Sequence, residues 1–307
     1  MKYSGIGGQA VMEGVMMKNR DRYAVAVRKP DGEIAVDVKD CKQSRKLEFW
    51  RDIPVVRGVI SFVESLTTGI STLMYSASFF EEDEQQEEEQ DEEKKRRKER
   101  AEMTWTVGIS LLLSVVIFML LPYYLSLFFG RFIENHVLLA LVEGLIRLLI
   151  FIAYVAGISR MKDIRRVFMY HGAEHKCINC IEHGMELTVE NVRVSSRQHK
   201  RCGTSFLLFV MIVSILFFAL IDMPNRIYRV AARVLLIPVI AGVSYEFIRL
   251  AGRSDNAVVN FLSKPGLLLQ RLTTREPDDS MIEVGIASVE AVFDWRAYLK
   301  EMEEVKG

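Results

Sequence analysis

The sequence predicts a mainly α-helical membrane protein with four spans, a small N-terminal β-containing domain and a C-terminal cytoplasmic helix. Three observations lead to this fold class: long apolar segments, clusters of lysine and arginine at their ends, and an alternating pattern near the N-terminus. The overall composition conceals it, because a formal net charge of +0 and 26% charged residues are typical of a soluble protein. These averages combine apolar and highly charged segments, and each segment predicts its own structure.

Four segments have about the 20 apolar residues that a helix needs to cross a bilayer. The predicted spans are 104–129, 137–158, 204–221 and 230–250, and they form a membrane domain over 104–250. In the second span, Glu143 and Arg147 are four residues apart, and we expect them to neutralise each other.

The positions of lysine and arginine predict the orientation of the spans. Basic clusters at 94–100 and 160–166, and the pair at 200–201, lie beside the first, second and third spans. By the positive-inside rule these clusters are cytoplasmic. We therefore expect both termini and the loop 159–203, which carries most of the histidines and cysteines, to be cytoplasmic.

Residues 1–52 are expected to form a small cytoplasmic domain with a β-hairpin. Segments 23–28 and 33–39 flank the turn sequence Lys-Pro-Asp-Gly, and the second of them alternates apolar and polar residues. The preceding stretch GIGGQAVMEGVMM suggests a tight backbone path. It is not a nucleotide-binding P-loop, since no Gly-Lys-Ser/Thr follows.

Three further segments are predicted outside the spans. Residues 53–80 have helical apolar spacing with serines and threonines on the other side, which favours an amphipathic, membrane-associated helix over a fifth span. Residues 81–103 are too charged to be buried and are expected to form a linker. Residues 251–307 are expected to be cytoplasmic and helical, with a helix that starts after Pro277.

Nitrogen and sulfur donors are concentrated between His171 and Cys202, where four of the five histidines and three of the four cysteines lie. A borderline-soft divalent metal such as zinc prefers these donors. On a helix, His171 and His175 project from one face and can share a metal, while Glu174 can take a proton from metal-bound water. The sequence therefore predicts one zinc ion with Glu174 as the catalytic general base.

A knuckle formed by Cys177, Cys180 and His183 is the less favoured alternative. At about 100° per residue, the two cysteines fall on the face of the helix opposite the histidine pair. If the helix continues to Gly184, whose position is typical of a helix stop, these cysteines cannot join the histidines around one metal. We interpret them as packing residues.

The remaining ligands are expected from later in the chain. His199 and Cys202 lie on the return segment before the third span, and each is a candidate third donor. Glu246 is another candidate, because an acid inside a span is costly and is by default functional. The alternative for Glu246 is a local ion pair with Arg249.

The blocks HGAEHK, HKRCGTSF, YEFIRLAGR and QRLTTREPDD together resemble the YqhQ-like family of bacterial membrane proteins, a family of unknown function described as metal-dependent enzymes. The similarity extends from GGQAVMEGVMM to the helix after Pro277. It implies a multi-pass protein of the bacterial cytoplasmic (inner) membrane. Residues that the resemblance places in the recurrent blocks are His171, Glu174, His175, His199, Arg201, Cys202 and Glu246.

The function predicted from these residues is that of a zinc-dependent membrane enzyme, a hydrolase that uses metal-activated water. The alternative is a non-catalytic assembly or accessory factor in which zinc locks the loop to the helical bundle; a transporter ranks third. Three protein ligands plus water favour catalysis, whereas four protein ligands favour a structural site. We expect the lipid bilayer as a partner, other membrane proteins in the alternative function, and no nucleic acid.

Overall fold

A computed structural model describes residues 3–41, 48–80, 92–221, 225–254 and 256–304. The chain divides into two compact units. The first contains Met1–Phe80, Val155–Val213 and Ala232–Gly307, and the second contains Glu81–Tyr154 and Ser214–Ala231. Among the described residues the fold is mainly helical with one small antiparallel sheet near the N-terminus, as the sequence predicted.

The sheet is a meander of four strands in the order β1-β2-β3-β4. Its strands are β1 Ile6–Val11, β2 Gly14–Asn19, β3 Arg22–Arg28 and β4 Ile34–Asp40. The predicted hairpin is confirmed as β3 and β4, which pair in antiparallel register from Arg22 and Asp40 to Arg28 and Ile34. The glycine-rich stretch before it forms β1 and β2, which the sequence did not predict.

The described residues contain twelve α-helices. They are α1 Glu48–Arg51, α2 Val56–Ala77, α3 Glu92–Val115, α4 Leu121–Phe129, α5 His136–Ile158, α6 Lys162–Glu182, α7 Val189–Val194, α8 Gly203–Ala219, α9 Arg226–Arg253, α10 Ala257–Thr273, α11 Asp279–Glu290 and α12 Trp295–Glu304. A π-helical turn, Val116–Leu120, joins α3 to α4. Half of the predicted charged linker, 81–91, lies outside the described residues, and the other half is helical because α3 begins at Glu92.

The prediction of four spans is wrong, since three helices in the described part of the chain are long and apolar enough to cross a membrane. They are Thr104–Phe129, His136–Ile158 and Ile227–Gly252. The segment predicted as the third span forms α8, whose 17 residues extend about 26 Å, less than the roughly 30 Å of bilayer hydrocarbon. The apolar pattern continues to Ile221, but the helix ends at Ala219.

The predicted pair inside the second span is confirmed. Arg147 Nη2 donates to Glu143 Oε1 at 2.7 Å, and Nη1 of the same guanidinium donates to Ser214 Oγ at 2.7 Å. Both charged side chains are buried within the second unit. A charge-assisted bond to an opposite charge is what makes such burial tolerable.

The core of the first unit lies between the sheet and helices α6 and α11. The predicted C-terminal helix is confirmed as α11, which is capped by Asp278 and buries Ile282 and Val289. Its Ser288 hydroxyl donates to the Ala24 carbonyl of β3. The C-terminal region is therefore packed directly on the N-terminal sheet.

Helix α2 confirms the predicted amphipathic helix, but its small and polar side is the buried one. Gly58 and Gly69 are buried on that side, and a Cβ added at Gly58 would lie 2.8 Å from the carbonyl oxygen of Gly242 in α9. The apolar side chains of Val63 and Leu66 are 53% and 46% exposed. Small residues permit the close approach of α2 to α9, and the larger apolar residues consequently face outward.

Candidate metal centre

Helix α6 provides a histidine pair and a glutamate on the side that faces β1 and the return segment before α8. His171 and His175 lie four residues apart, with ring centroids 4.4 Å from each other. Glu174 Oε2 lies 3.8 Å from His171 Nε2 and 4.0 Å from His175 Nε2. The helix ends where the sequence predicted, because Gly184 adopts a φ of 81° and its N–H bonds the Ile181 carbonyl.

Backbone carbonyls fix the orientation of both imidazoles. His171 Nδ1 lies 2.8 Å from the Thr273 carbonyl oxygen, and His175 Nδ1 lies 2.7 Å from that of Arg197. A carbonyl only accepts, so each Nδ1 carries a proton, and Nε2 is the nitrogen of each ring that is left to bind a metal once its own proton is released. This outer hydrogen bond is the usual support for a metal-binding histidine.

Cys202 completes a group of three donors. Its Sγ lies 3.3 Å from His171 Nε2, and the ligand atoms of His171, His175 and Cys202 all lie within 4.8 Å of one another. Burial alone would raise the pKa of the Cys202 thiol, but the two adjacent imidazoles hold this pKa well below its ordinary value. The thiolate in turn raises the pKa of His171 to about 9 against the effect of burial.

The three donors fit zinc. Two imidazole nitrogens and one thiolate are ligand types that zinc prefers, and bonds of about 2.0 to 2.3 Å in a tetrahedral arrangement place donor atoms about 3.5 Å apart. The 3.3 Å between Cys202 Sγ and His171 Nε2 is close to this value. The group also opens onto a cavity of about 450 Å³ that Glu174 lines.

Glu174 is held against the sheet as well as against the histidines. Gly8 of β1 lies directly against its side chain, since a Cβ at Gly8 would lie 2.8 Å from Glu174 Cγ. Burial raises the pKa of Glu174, and the neighbouring histidines oppose this effect. The GGQAVMEGVMM block, for which the sequence offered no chemistry, therefore lets the backbone of β1 approach the carboxylate.

His199, a predicted donor, lies beside the three-donor group and has other partners. Its Nε2 is 3.5 Å from Glu182 Oε2, and its backbone N–H and carbonyl both bond the side chain of Gln270. Burial favours a higher pKa for Glu182, but its bonds to His199 and Arg201 lower this pKa to about 2. This arrangement positions the return segment on which Cys202 lies.

Glu246, also a predicted ligand, is not brought to the three-donor group. Its carboxylate accepts bonds from Arg57 Nε at 2.7 Å and from the Val55 N–H at 3.3 Å, so it connects α9 to the start of α2. The alternative predicted from the sequence, a local ion pair between Glu246 and Arg249, is not the main contact either, because the residue that bonds Glu246 is Arg57, 189 residues away in the chain.

The two other cysteines of the window are packing residues, as the helix geometry predicted. Cys177 and Cys180 are fully buried and free, and Cys177 Sγ would lie 2.9 Å from a Cβ at Gly285 of α11. His183 Nδ1 bonds the Asn179 carbonyl of its own helix. None of these three belongs to the donor group found among the described residues.

Sequence reasoning missed the role of the segment 270–276. Besides Gln270 and Thr273, its Arg275 N–H bonds the Phe168 carbonyl of α6, and Glu276 pairs with the buried Lys176 at 2.5 Å. Lys176 also donates to two carbonyls of the return segment, those of Arg193 and Ser195. The sequence feature that could have indicated this role is the polar block QRLTTREPDD. Its Thr273 carbonyl accepts a bond from His171, and its Gln270 side chain bonds the backbone of His199.

Fold and site together define a mainly helical protein with apolar helices compatible with a membrane and a buried group of histidine and cysteine donors. The chain belongs to the family DUF1385, proteins of unknown function, whose model matches residues 53–295. It is 37% identical over 286 residues to the uncharacterized protein YqhQ of Bacillus subtilis (strain 168), covering 92% of this chain and 90% of that protein. No solved structure matches the chain.

Proposed function

We propose that the chain is a zinc-dependent integral membrane enzyme, a hydrolase whose metal is held by His171, His175 and Cys202. The observation that supports this proposal is the orientation of the donors. Each histidine donates its Nδ1 proton to a backbone carbonyl and directs Nε2 toward the thiol, and the Glu174 carboxylate lies beside both nitrogens. Three protein donors leave one position of a tetrahedral zinc site free for water.

Zinc at these donors would lower the pKa of a bound water molecule to near neutrality. Glu174 is the residue that accepts a proton at Oε2 and returns it to the leaving group. Its raised pKa, caused by burial, brings the carboxylate closer to the neutral pH at which a general base works best. Thr273 and Arg197 keep the two imidazoles in the metal-binding tautomer through their carbonyls.

A non-catalytic assembly or accessory factor for other membrane proteins is the second candidate. The observation in its favour is that the donors come from two segments that pack with a third, 270–276, through buried polar contacts. A metal at this junction would contribute folding energy by joining the segments. His199, whose ring centroid is 5.8 Å from that of His175, is the residue that could raise the number of protein ligands to four.

We also propose that the sheet, α6 and α11 lie at the cytoplasmic face of the bacterial inner membrane. Basic residues at 160–166 and at 197–201 support this orientation. Because α11 packs on the sheet, the N-terminal and C-terminal regions share one side of any membrane. A shared side requires an even number of crossings, so the three full-length helices do not by themselves define the topology.

Elemental analysis tests the metal. We expect about one zinc per purified chain and its loss in the double variant His171→Ala, His175→Ala, because both imidazoles direct Nε2 to the same point. Replacement of His183, which bonds its own helix, is the matched control and should leave the zinc content unchanged. Equal zinc in the wild type and the double variant would refute the site.

The substitution Glu174→Gln separates the two functions. It keeps the shape of the side chain but removes the proton acceptor, so a hydrolase should lose activity and retain its zinc. Activity is measured as rescue of a bacterial strain that lacks its own family member, with membrane protein level and zinc content measured in parallel. Full rescue by Glu174→Gln at normal abundance would exclude the hydrolase in favour of the accessory factor.

A further inference from the structure

Two cavities meet at the metal centre. One of about 450 Å³ lies between the end of β2 and the donors, and one of about 470 Å³ lies between α2, α6, α8 and α9. His171, Arg201 and Cys202 line both of them. A molecule bound at the metal centre can therefore extend into both cavities at once.

The first cavity is cationic. Lys18, Arg20 and Arg201 line it, and Glu174 is its only carboxylate among the described residues. Arg201 stacks on the Tyr3 ring and bonds Glu182 through Nη2, whereas its Nη1 is buried and has no hydrogen-bond partner in the described part of the chain. The cavity therefore offers positive charge to an anionic group.

Most of the wall of the second cavity is apolar, although it shares several polar residues with the first. Its walls include Phe62 of α2, Phe206 of α8, and Tyr245 and Ile248 of α9, and the Phe62 and Phe206 rings lie 5.5 Å apart. Helix α9 contains one of the three segments able to cross a membrane. A hydrocarbon chain is the ligand that gains most from such a cavity, because it buries apolar surface without leaving polar groups unpaired.

An extended peptide fits less well than a lipid. Peptide substrates commonly add a strand to an open sheet edge, and β1 is the edge strand nearest the donors. Helix α2 already packs against this strand: Gln9 Nε2 of β1 donates to the Gly69 carbonyl of α2, and the Met12 N–H, directly after β1, donates to Ser76 Oγ of α2.

We infer that the substrate is an anionic membrane lipid, whose head group occupies the cationic cavity and whose hydrocarbon chain occupies the apolar one. This inference rests on the hydrolase proposed above. The bond cleaved is the ester between the two parts, which lies at the donors. The water oxygen joins the acyl carbonyl carbon, the bond from that carbon to the glycerol oxygen on the head-group side breaks, and the proton that Glu174 takes from the water passes to this oxygen, so water is the only co-reactant.

The test uses photo-crosslinking of the full chain in phosphatidylcholine vesicles. Two probes carry the same diazirine-labelled acyl chain, one on phosphatidylglycerol and one on phosphatidylcholine. We expect the anionic probe to label Phe206 and Tyr245 preferentially, as located by mass spectrometry. The double variant Lys18→Gln, Arg20→Gln should remove this preference, by about fivefold for each basic residue, the scale on which lysine and arginine attract anionic lipid.

A second pair of variants tests the chain cavity. Ile248→Trp should fill the cavity and lower labelling by both probes, whereas Val258→Trp is the matched control, since Val258 is 64% exposed on α10. Thermal unfolding of both variants establishes that the fold is kept. Equal labelling by the two probes, or labelling that Ile248→Trp does not change, would overturn the lipid inference.

Zinc content of the same samples separates this inference from the proposed function. Retained zinc without cavity labelling overturns the lipid and leaves the hydrolase intact. Cavity labelling in wild-type protein that binds no zinc overturns the hydrolase, and with it the role of the lipid as a substrate. Labelling of the same residues by an apolar diazirine peptide, and not by the lipids, would replace the lipid with a peptide.

Discussion

Alanine at Gly172 is expected to weaken zinc binding although residue 172 is not a ligand. An ideal Cβ at this position would lie 1.9 Å from the carbonyl oxygen of Arg275. Real Cβ atoms essentially never come within 3.0 Å of another heavy atom in this way. Helix α6 and the segment around Arg275 must therefore separate by about 1.1 Å, the difference between the two distances.

The separation acts on the orientation of His171. Its Nδ1 lies 2.8 Å from the oxygen of Thr273, two residues before Arg275. Lengthened by the same amount, this distance reaches about 3.9 Å, which is no longer a hydrogen bond. Loss of such an outer partner typically lowers metal affinity about 10- to 100-fold, or about 1.4 to 2.8 kcal/mol.

Competition with a chelator of known zinc affinity measures the effect on purified protein. Gly203→Ala is the matched control, because Gly203 lines the cavity of about 450 Å³ at the donors and its added Cβ would meet nothing within 4 Å. Thermal unfolding of both variants establishes whether the fold is kept. Wild-type zinc affinity in folded Gly172→Ala would refute the argument that the Thr273 carbonyl sets the strength of the site.

Alanine at Gly8 is expected to lower activity but keep zinc, because its Cβ would lie 2.6 Å from the Met16 carbonyl oxygen of β2 and 2.8 Å from Cγ of the general base, and therefore must move β1 and Glu174 apart. Alanine at Gly7 meets nothing within 4 Å. Rescue and zinc content of the two variants, measured side by side, check this, and full rescue by Gly8→Ala would contradict it. Cysteines introduced singly at the exposed positions Asp31, Lys162 and Glu303 should all resist an impermeant reagent in intact cells, since packing places them on one side. Labelling of any of the three from outside would contradict the cytoplasmic orientation.

The sequence predicted the part of the site that depends on local geometry. A spacing of four residues on a helix places His171 and His175 together, and the same helix places Cys177 on the other face. Cys202 and His199 were the two candidate donors that the sequence offered on the return segment. The structure distinguishes them, because the His199 backbone bonds Gln270 while the Cys202 thiol faces His171.

Contacts between distant segments were not predictable in the same way. Glu246 looked available because an acid in an apolar helix needs a partner, and its spacing could not reveal that Arg57 supplies it. Periodicity likewise defined two faces of α2 but not which one is buried. The small residues Gly58 and Gly69 decided this, since they let neighbouring segments approach closely.

The bond between His171 and Thr273 also sets an order of events during synthesis. The two residues are 102 positions apart, so the histidine leaves the ribosome about 5 to 20 s before its acceptor does. Until then the nascent chain carries the donors without the carbonyl that orients them. For the proposed zinc, tight loading would consequently be a late step that follows placement of α9 and docking of α10, and a chain truncated before Thr273 is expected to bind the metal weakly.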